Sequence, residues 1–80
     1  MKIYKHNGKY NACGQRVREE RERARLSQEQ LAARLQLEGV NLNQKAVSRI
    51  ETGDRVVADY ELNALAKVLC ISVQKLLNIE

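Results

Sequence analysis

Wound at about 3.6 residues per turn, the stretch from Gln44 to Thr52 puts Gln44, Lys45, Ser48, Arg49 and Thr52 on one side of a short helix. That side offers an amide, an ammonium, two hydroxyls and a guanidinium, and no large apolar group. An amide can pair with the N6/N7 edge of adenine, and arginine or lysine with O6/N7 of guanine, in a major groove wide enough to admit a helix. The chemistry on offer is recognition by hydrogen bonds, not bond making. The same side chains would also suit a merely solvated helix face, and their composition alone does not separate the two readings.

The elements that must position this face are legible around it. Ala46, Val47 and Ile50 point the other way, Asn43 is placed to cap the helix, and Gly53 ends it. Upstream, Ser27 with Gln30 three residues on has the spacing of a capping box. Leu31, Ala32 and Leu35 then recur at helical spacing, and Gly39 is a stop signal in the left-handed conformation. A small residue, Ala32, sits where two helices must approach closely, with Val47 on the facing side. That arrangement is the logic of a helix-turn-helix, and it favours the reading face over the solvated one.

SQEQLAARL, then VSRIETG, then ELNALAKVLCISVQKLL resemble the corresponding segments of the Cro/C1-type (XRE-family) helix-turn-helix regulators, over roughly Cys13 to Leu77. The loop QLEGVNLN is several residues longer than the family's usual tight turn and resembles a long-turn branch. The resemblance implies an all-α, five-helix, lambda-repressor-like DNA-binding domain with the helix-turn-helix in its second and third helices. It implies a domain over 13–80 after a basic lead-in over 1–12. It also implies that Arg21, which interrupts the apolar stripe of the first helix, pairs with Glu51 at the end of the third.

Eighty residues with 44% hydrophobic content allow one domain with a modest core. Only Tyr4, Tyr10 and Tyr60 are aromatic, so that core must be aliphatic, which favours packed helices over a sheet. No apolar run is long enough for a membrane span and no signal peptide is visible, so the expected compartment is the cytoplasm. The net charge of +4 is concentrated before Arg55 and suits a polyanion without demanding one. Cys13 and Cys70 make no disulfide framework and are expected as two small buried hydrophobes. His6 is the only histidine, so no familiar zinc set exists, and no Gly-rich phosphate loop or nucleophile–base pair is present. No enzyme and no cofactor are expected.

In chain order, Met1 to Asn11 form a basic segment with a turn signal at Asn7-Gly8. Lys2, Lys5 and Lys9 could lie on phosphates as an arm, although a frayed terminus is the preferred expectation. Tyr10 and Cys13 should tuck against the first helix. That helix is predicted over Gly14–Arg25, with Val17, Arg21 and Ala24 on its buried face and the other charges solvated. The second helix should run past Leu35, with Val40 and Leu42 folding back as a plug. Helix four should start at Ala58 or Asp59 and bury Leu62, Leu65, Ala66 and Leu69. Ser72 should cap a last helix, VQKLLN, with Val73, Leu76 and Leu77 as candidate core.

These elements predict a sequence-specific binder of double-stranded DNA, a transcriptional regulator of the repressor type. Gln44, Lys45, Ser48 and Arg49 would face base edges. Gln28, Asn43 and Arg55, with Asn41, would contact phosphates and set position without reading sequence. A homodimer through Val73, Leu76, Leu77 and Ile79 would set two such helices on one operator. The competing reading is a protein-interaction module such as the antitoxin of a toxin–antitoxin pair. Salt-dependent duplex binding separates the two.

Overall fold

Capping chemistry divides the chain into its elements. The computed structural model describes residues 4–79, with α1 over Gly14–Arg23, α2 over Gln28–Leu37, α3 over Gln44–Thr52, α4 over Asp59–Leu69 and α5 over Val73–Leu76. Among the described residues the fold is all-α, and the single β-type pairing is the bridge between His6 and Lys9. Each helix starts where a side chain accepts an orphan amide. The Asn11 carbonyl takes the Gly14 amide at 2.8 Å, and the Asn43 carbonyl takes that of Ala46 at 2.8 Å. Ser27 and Gln30 exchange both bonds of the expected capping box, at 3.0 and 2.8 Å. The Glu61 carboxylate takes the Ala58 amide and the Ser72 hydroxyl takes the Lys75 amide, both at 3.0 Å.

All five helices end the same way. A residue with positive φ follows each one: Arg25, Gly39, Gly53, Cys70 and Asn78. The next amide then folds back onto the carbonyl five residues earlier, as Leu26 does to Arg21, Val40 to Leu35, Asp54 to Arg49, Ile71 to Ala66 and Ile79 to Gln74. This is the Schellman arrangement, and it closes the orphan carbonyls of each last turn.

Val17, Leu31, Leu35, Val47, Ile50, Leu65 and Leu76 form the centre of one aliphatic core. Burying each such side chain stabilises the fold by roughly 1.5–3 kcal/mol. The α3 helix packs against both α1 and α2, and α4 closes the far side against α1, α2 and α5. At Gly14 a Cβ would overlap the Ile50 carbonyl oxygen, so only glycine lets α1 lie this close to the end of α3.

Several expectations are corrected. The first helix ends at Arg23, not Arg25, because Arg25 turns left-handed, and Ala24 is exposed. Glu20 takes a buried place on α1 instead, between Arg16 and Arg23 at 3.8 and 3.4 Å, so it does not belong to a solvated charge run. The lead-in is not frayed from His6 onward. Asn7 and Gly8 form a two-residue hairpin turn, and the Tyr10 amide donates to the Gly53 carbonyl at 2.8 Å, which ties the backbone at Tyr10 to the end of α3. Lys2, with the rest of residues 1–3 at the start of the lead-in, lies outside the described residues.

Val40 and Leu42 do plug the core, whereas Leu37 is 86% exposed. On α4, Glu61 and Ala64 are buried and Leu62 is only half-buried. Cys70 is exposed: it is the left-handed residue that ends α4, and it falls outside the buried stripe of Leu65, Ala66 and Leu69. Cys13 is the buried thiol of the expected pair, and burial pushes its pKa up to about 11, so it stays protonated at neutral pH. The last helix stops at Leu76, which is fully buried and therefore absent from any surface a partner could touch.

Candidate nucleic-acid interface

The α3 helix presents Gln44, Lys45, Arg49 and Thr52 to solvent, with Ser48 half-buried beside them. Its opposite face, Val47, Ile50 and Glu51, is buried. The polar stripe expected from periodicity is therefore continuous, apart from the partial cover over Ser48.

The first residues of α2 and α3 are joined by a chain of hydrogen bonds that begins inside the protein. Arg21 donates to Glu51 through Nε at 2.6 Å and Nη2 at 3.1 Å, and through Nη1 to the Leu26 carbonyl at 2.7 Å. The Arg21 pKa is held above its ordinary value by the hydrogen bonds it donates to Glu51, against the opposing effect of burial and with the help of the Glu51 charge. A guanidinium on the apolar face of α1 needs an anion opposite it, and Glu51, its side chain 3% exposed, stands there.

Glu51 then accepts from the Gln28 amide at 3.0 Å, and Gln28 accepts from the Gln44 amide at 2.6 Å. The polarity of this chain is forced. A carboxylate is acceptor-only, so Gln28 must turn its NH2 inward and its carbonyl outward. That carbonyl in turn captures the NH2 of Gln44. Gln44, which is exposed, is left with its carbonyl oxygen and one N–H unspent, the acceptor and donor that the N6/N7 edge of adenine requires. Gln28 is thus placed as a bridge between Glu51 and Gln44, with its remaining N–H available beside the first turn of α2.

Asn43 spends its carbonyl on capping α3. With Lys45, Ala46, Arg49, Asp54 and Arg55 it lines a concavity between α3 and the segment that follows it. Three cations face one carboxylate there, and Asp54 itself accepts from the Thr52 hydroxyl at 3.2 Å. Arg55 is partly buried and bound to Glu61. Its pKa is raised by the hydrogen bonds to Glu61, against burial and with the help of the Glu61 charge. The N-terminal hairpin adds positive charge beside the end of α3. The Lys9 side chain runs across Gly53, where a Cβ would meet its methylenes at 2.7–2.9 Å, and the Lys5 ammonium sits 5.0 Å from the centre of the Tyr10 ring.

Two residues that matter here escaped the sequence reading. Asn11 caps α1 and also donates to the carbonyls of Ile50 at 3.1 Å and Arg55 at 2.7 Å, which fixes the lead-in, α1 and the α3–α4 connector together. Its position three before Gly14 was the available signal. Glu61 accepts the Ala58 amide and holds Arg55, and its place three residues after Ala58, the spacing of a side chain that reaches back to a helix start, was its signal.

Among the described residues no group of three or more His, Cys, Asp or Glu is placed to hold a metal ion, and no helix is long and apolar enough to cross a membrane. A family profile described as a helix-turn-helix domain matches residues 12–79. No curated protein and no solved structure matches the chain.

Proposed function

The chain belongs to the helix-turn-helix domain family, which is of the Cro/C1-type (XRE) kind and implies DNA binding. From that premise we propose a sequence-specific transcriptional regulator of the repressor type that acts on double-stranded DNA. The observation that carries this reading is the oriented Gln44 amide. An outward carbonyl and N–H, fixed through Gln28 and Glu51, are of little use to a solvated face and suit a base edge.

In this reading α3 enters the major groove, Gln44 and Lys45 reach deepest, and Arg49 and Ser48 contact bases or sugar further along. Gln28, Asn43 and Arg55 hold phosphates and set register. The long loop before α3 belongs to the scaffold, since Val40 and Leu42 are spent on the core.

One domain is too small to read a whole operator. Its longest extent is 31 Å, against roughly 34 Å between successive major-groove faces, so two copies on a two-fold site are needed to read both. With Leu76 buried, a C-terminal contact between copies would rest on Ile79 and the exposed parts of Val73 and Leu77. Such a patch is small, and a dimer that forms on DNA fits it better than a preassembled one.

Selection of bound duplexes from a random pool tests the proposal. A palindromic enriched site, bound two to one with affinity that falls as salt rises, is the expected result. Recovery of no duplex at any salt concentration would instead favour a protein-interaction module.

A further inference from the structure

Among the described residues, two arginines each hold a glutamate through a pair of hydrogen bonds, and they use their guanidinium groups differently. A guanidinium has a side edge formed by Nε–H and one Nη2–H, and an end edge formed by one hydrogen each of Nη1 and Nη2; the second hydrogen of Nη1 points back toward the side chain. Arg21 gives its side edge to Glu51, and only 12% of its side chain is exposed. Arg55 gives its end edge to Glu61, through Nη1 at 2.8 Å and Nη2 at 3.1 Å. Its back-pointing Nη1 hydrogen goes to the Val56 carbonyl at 2.9 Å. No described residue takes the side edge of Arg55, and 32% of that side chain remains exposed, on the concavity shared with Asn43, Lys45 and Arg49.

We infer that Glu61 is a positioning residue for DNA binding: it holds Arg55 by the end edge so that the side edge is presented as a ready fork for one backbone phosphate. Glu61 is well suited to this. Its side chain is 7% exposed, and one of its oxygens is also anchored by the Ala58 amide, so it cannot swing out with the arginine. The seat that results combines a planar two-donor fork with the ammonium of Lys45 and the guanidinium of Arg49, a donor set matched to a phosphodiester. Asp54 is the one carboxylate on this concavity, and its bond from Thr52 draws it toward the end of α3. The inference rests on the DNA-binding reading and adds a residue that would not itself touch DNA.

The test exploits an opposition of sign. Glu61 carries a negative charge near the polyanion, so its removal should strengthen binding if only long-range electrostatics matter. If it positions Arg55, removal should weaken binding. Glu61→Gln puts an NH2 against one donor of the end edge and breaks the fork. Binding to random-sequence duplexes about two helical turns long is measured over a salt series for wild type, Arg55→Ala, Glu61→Gln and the double variant. For Arg55→Ala the slope of log affinity against log salt should become shallower by about 0.9, the loss of one phosphate contact. Glu61→Gln should lose affinity on the order of tenfold, the scale of a charged hydrogen bond, and the double variant should be no worse than Arg55→Ala.

Arg55 is also followed directly in the wild type, through its Nε–H resonance, so the result does not depend on the variants folding. That resonance should shift on addition of duplex, whereas that of Arg21 should not. Unchanged or tighter binding by folded Glu61→Gln, or an Arg55 Nε–H that stays unmoved at saturating duplex, overturns the inference while leaving DNA binding intact. A wild type with no salt-dependent duplex binding overturns the reading beneath it, and this inference with it.

Discussion

Replacing Arg21 by alanine should cost more stability than any surface change in the domain. The Glu51 side chain is 3% exposed and receives two guanidinium bonds, at 2.6 and 3.1 Å. After the substitution only the Gln28 amide at 3.0 Å remains, and the Leu26 carbonyl also loses its donor. Stranding a buried charge in this way costs roughly 3–5 kcal/mol. A domain of this size has a total stability of roughly 4–12 kcal/mol, so the loss approaches the whole in the worst case. At about 4–8 °C per kcal/mol, the melting temperature should fall by roughly 12 °C or more. Glu51→Ala should be milder, because the longer Arg21 side chain can turn its charge toward water. The double variant should be less damaging than the sum of the two, with a coupling energy above about 1 kcal/mol. Thermal and urea denaturation followed by circular dichroism give all three values. A coupling within about 0.5 kcal/mol of zero would refute the pairing as a source of the loss.

Three further outcomes follow from the same geometry. Gly14→Ala should destabilise by about 1–3 kcal/mol in a urea melt although alanine is the better helix former, because its Cβ would overlap the Ile50 carbonyl oxygen and push α1 off α3. Cys70→Gly should raise the melting temperature, since a left-handed conformation at φ 57° costs a β-carbon-bearing residue about 1–2 kcal/mol, only partly offset by the greater unfolded-state freedom of glycine. Stability should fall in acid faster for wild type than for Glu61→Gln. Burial disfavours the Glu61 charge, but the Arg55 hydrogen bonds, the Ala58 amide and the Arg55 charge outweigh it and hold the carboxyl below its ordinary value. A carboxyl lowered by folding stabilises above the ordinary carboxylate range, and that contribution is lost as pH falls through the lower folded value, so the wild-type advantage in denaturation midpoint over Glu61→Gln should be full near neutral pH and shrink as pH falls through and below the ordinary carboxylate range.

The glycines show which part of the fold the sequence reveals. Gly39 and Gly53 mark the ends of α2 and α3 because glycine is the usual residue at positive φ. Arg25, Cys70 and Asn78 end their helices by the same backbone device without that marker, which is why α1 was expected two residues too long and Cys70 was expected inside. Periodicity found the outward stripe of α3, since a helix of that length has a single apolar face. It also found Arg21, because a charge inside an apolar stripe stands out. Glu20 carries no such mark: its burial depends on how α1 meets the rest of the fold, which local spacing does not encode. Arg55 illustrates the same limit at the site. Its charge and its place after Gly53 are visible in the sequence, but the edge it offers depends on the path of the connector that brings Glu61 beneath it.

We propose that α3 reads base edges through an amide oriented by Gln28. The most direct test is the affinity of Gln44→Ala for the selected operator, measured beside its affinity for random duplex at the same salt concentration. The variant should stay folded, lose about 1–3 kcal/mol on the operator, the value of one bidentate base contact, and keep its affinity for random duplex. Equal affinity of Gln44→Ala and wild type for the operator would contradict this reading, and α3 would then not be reading that site through Gln44.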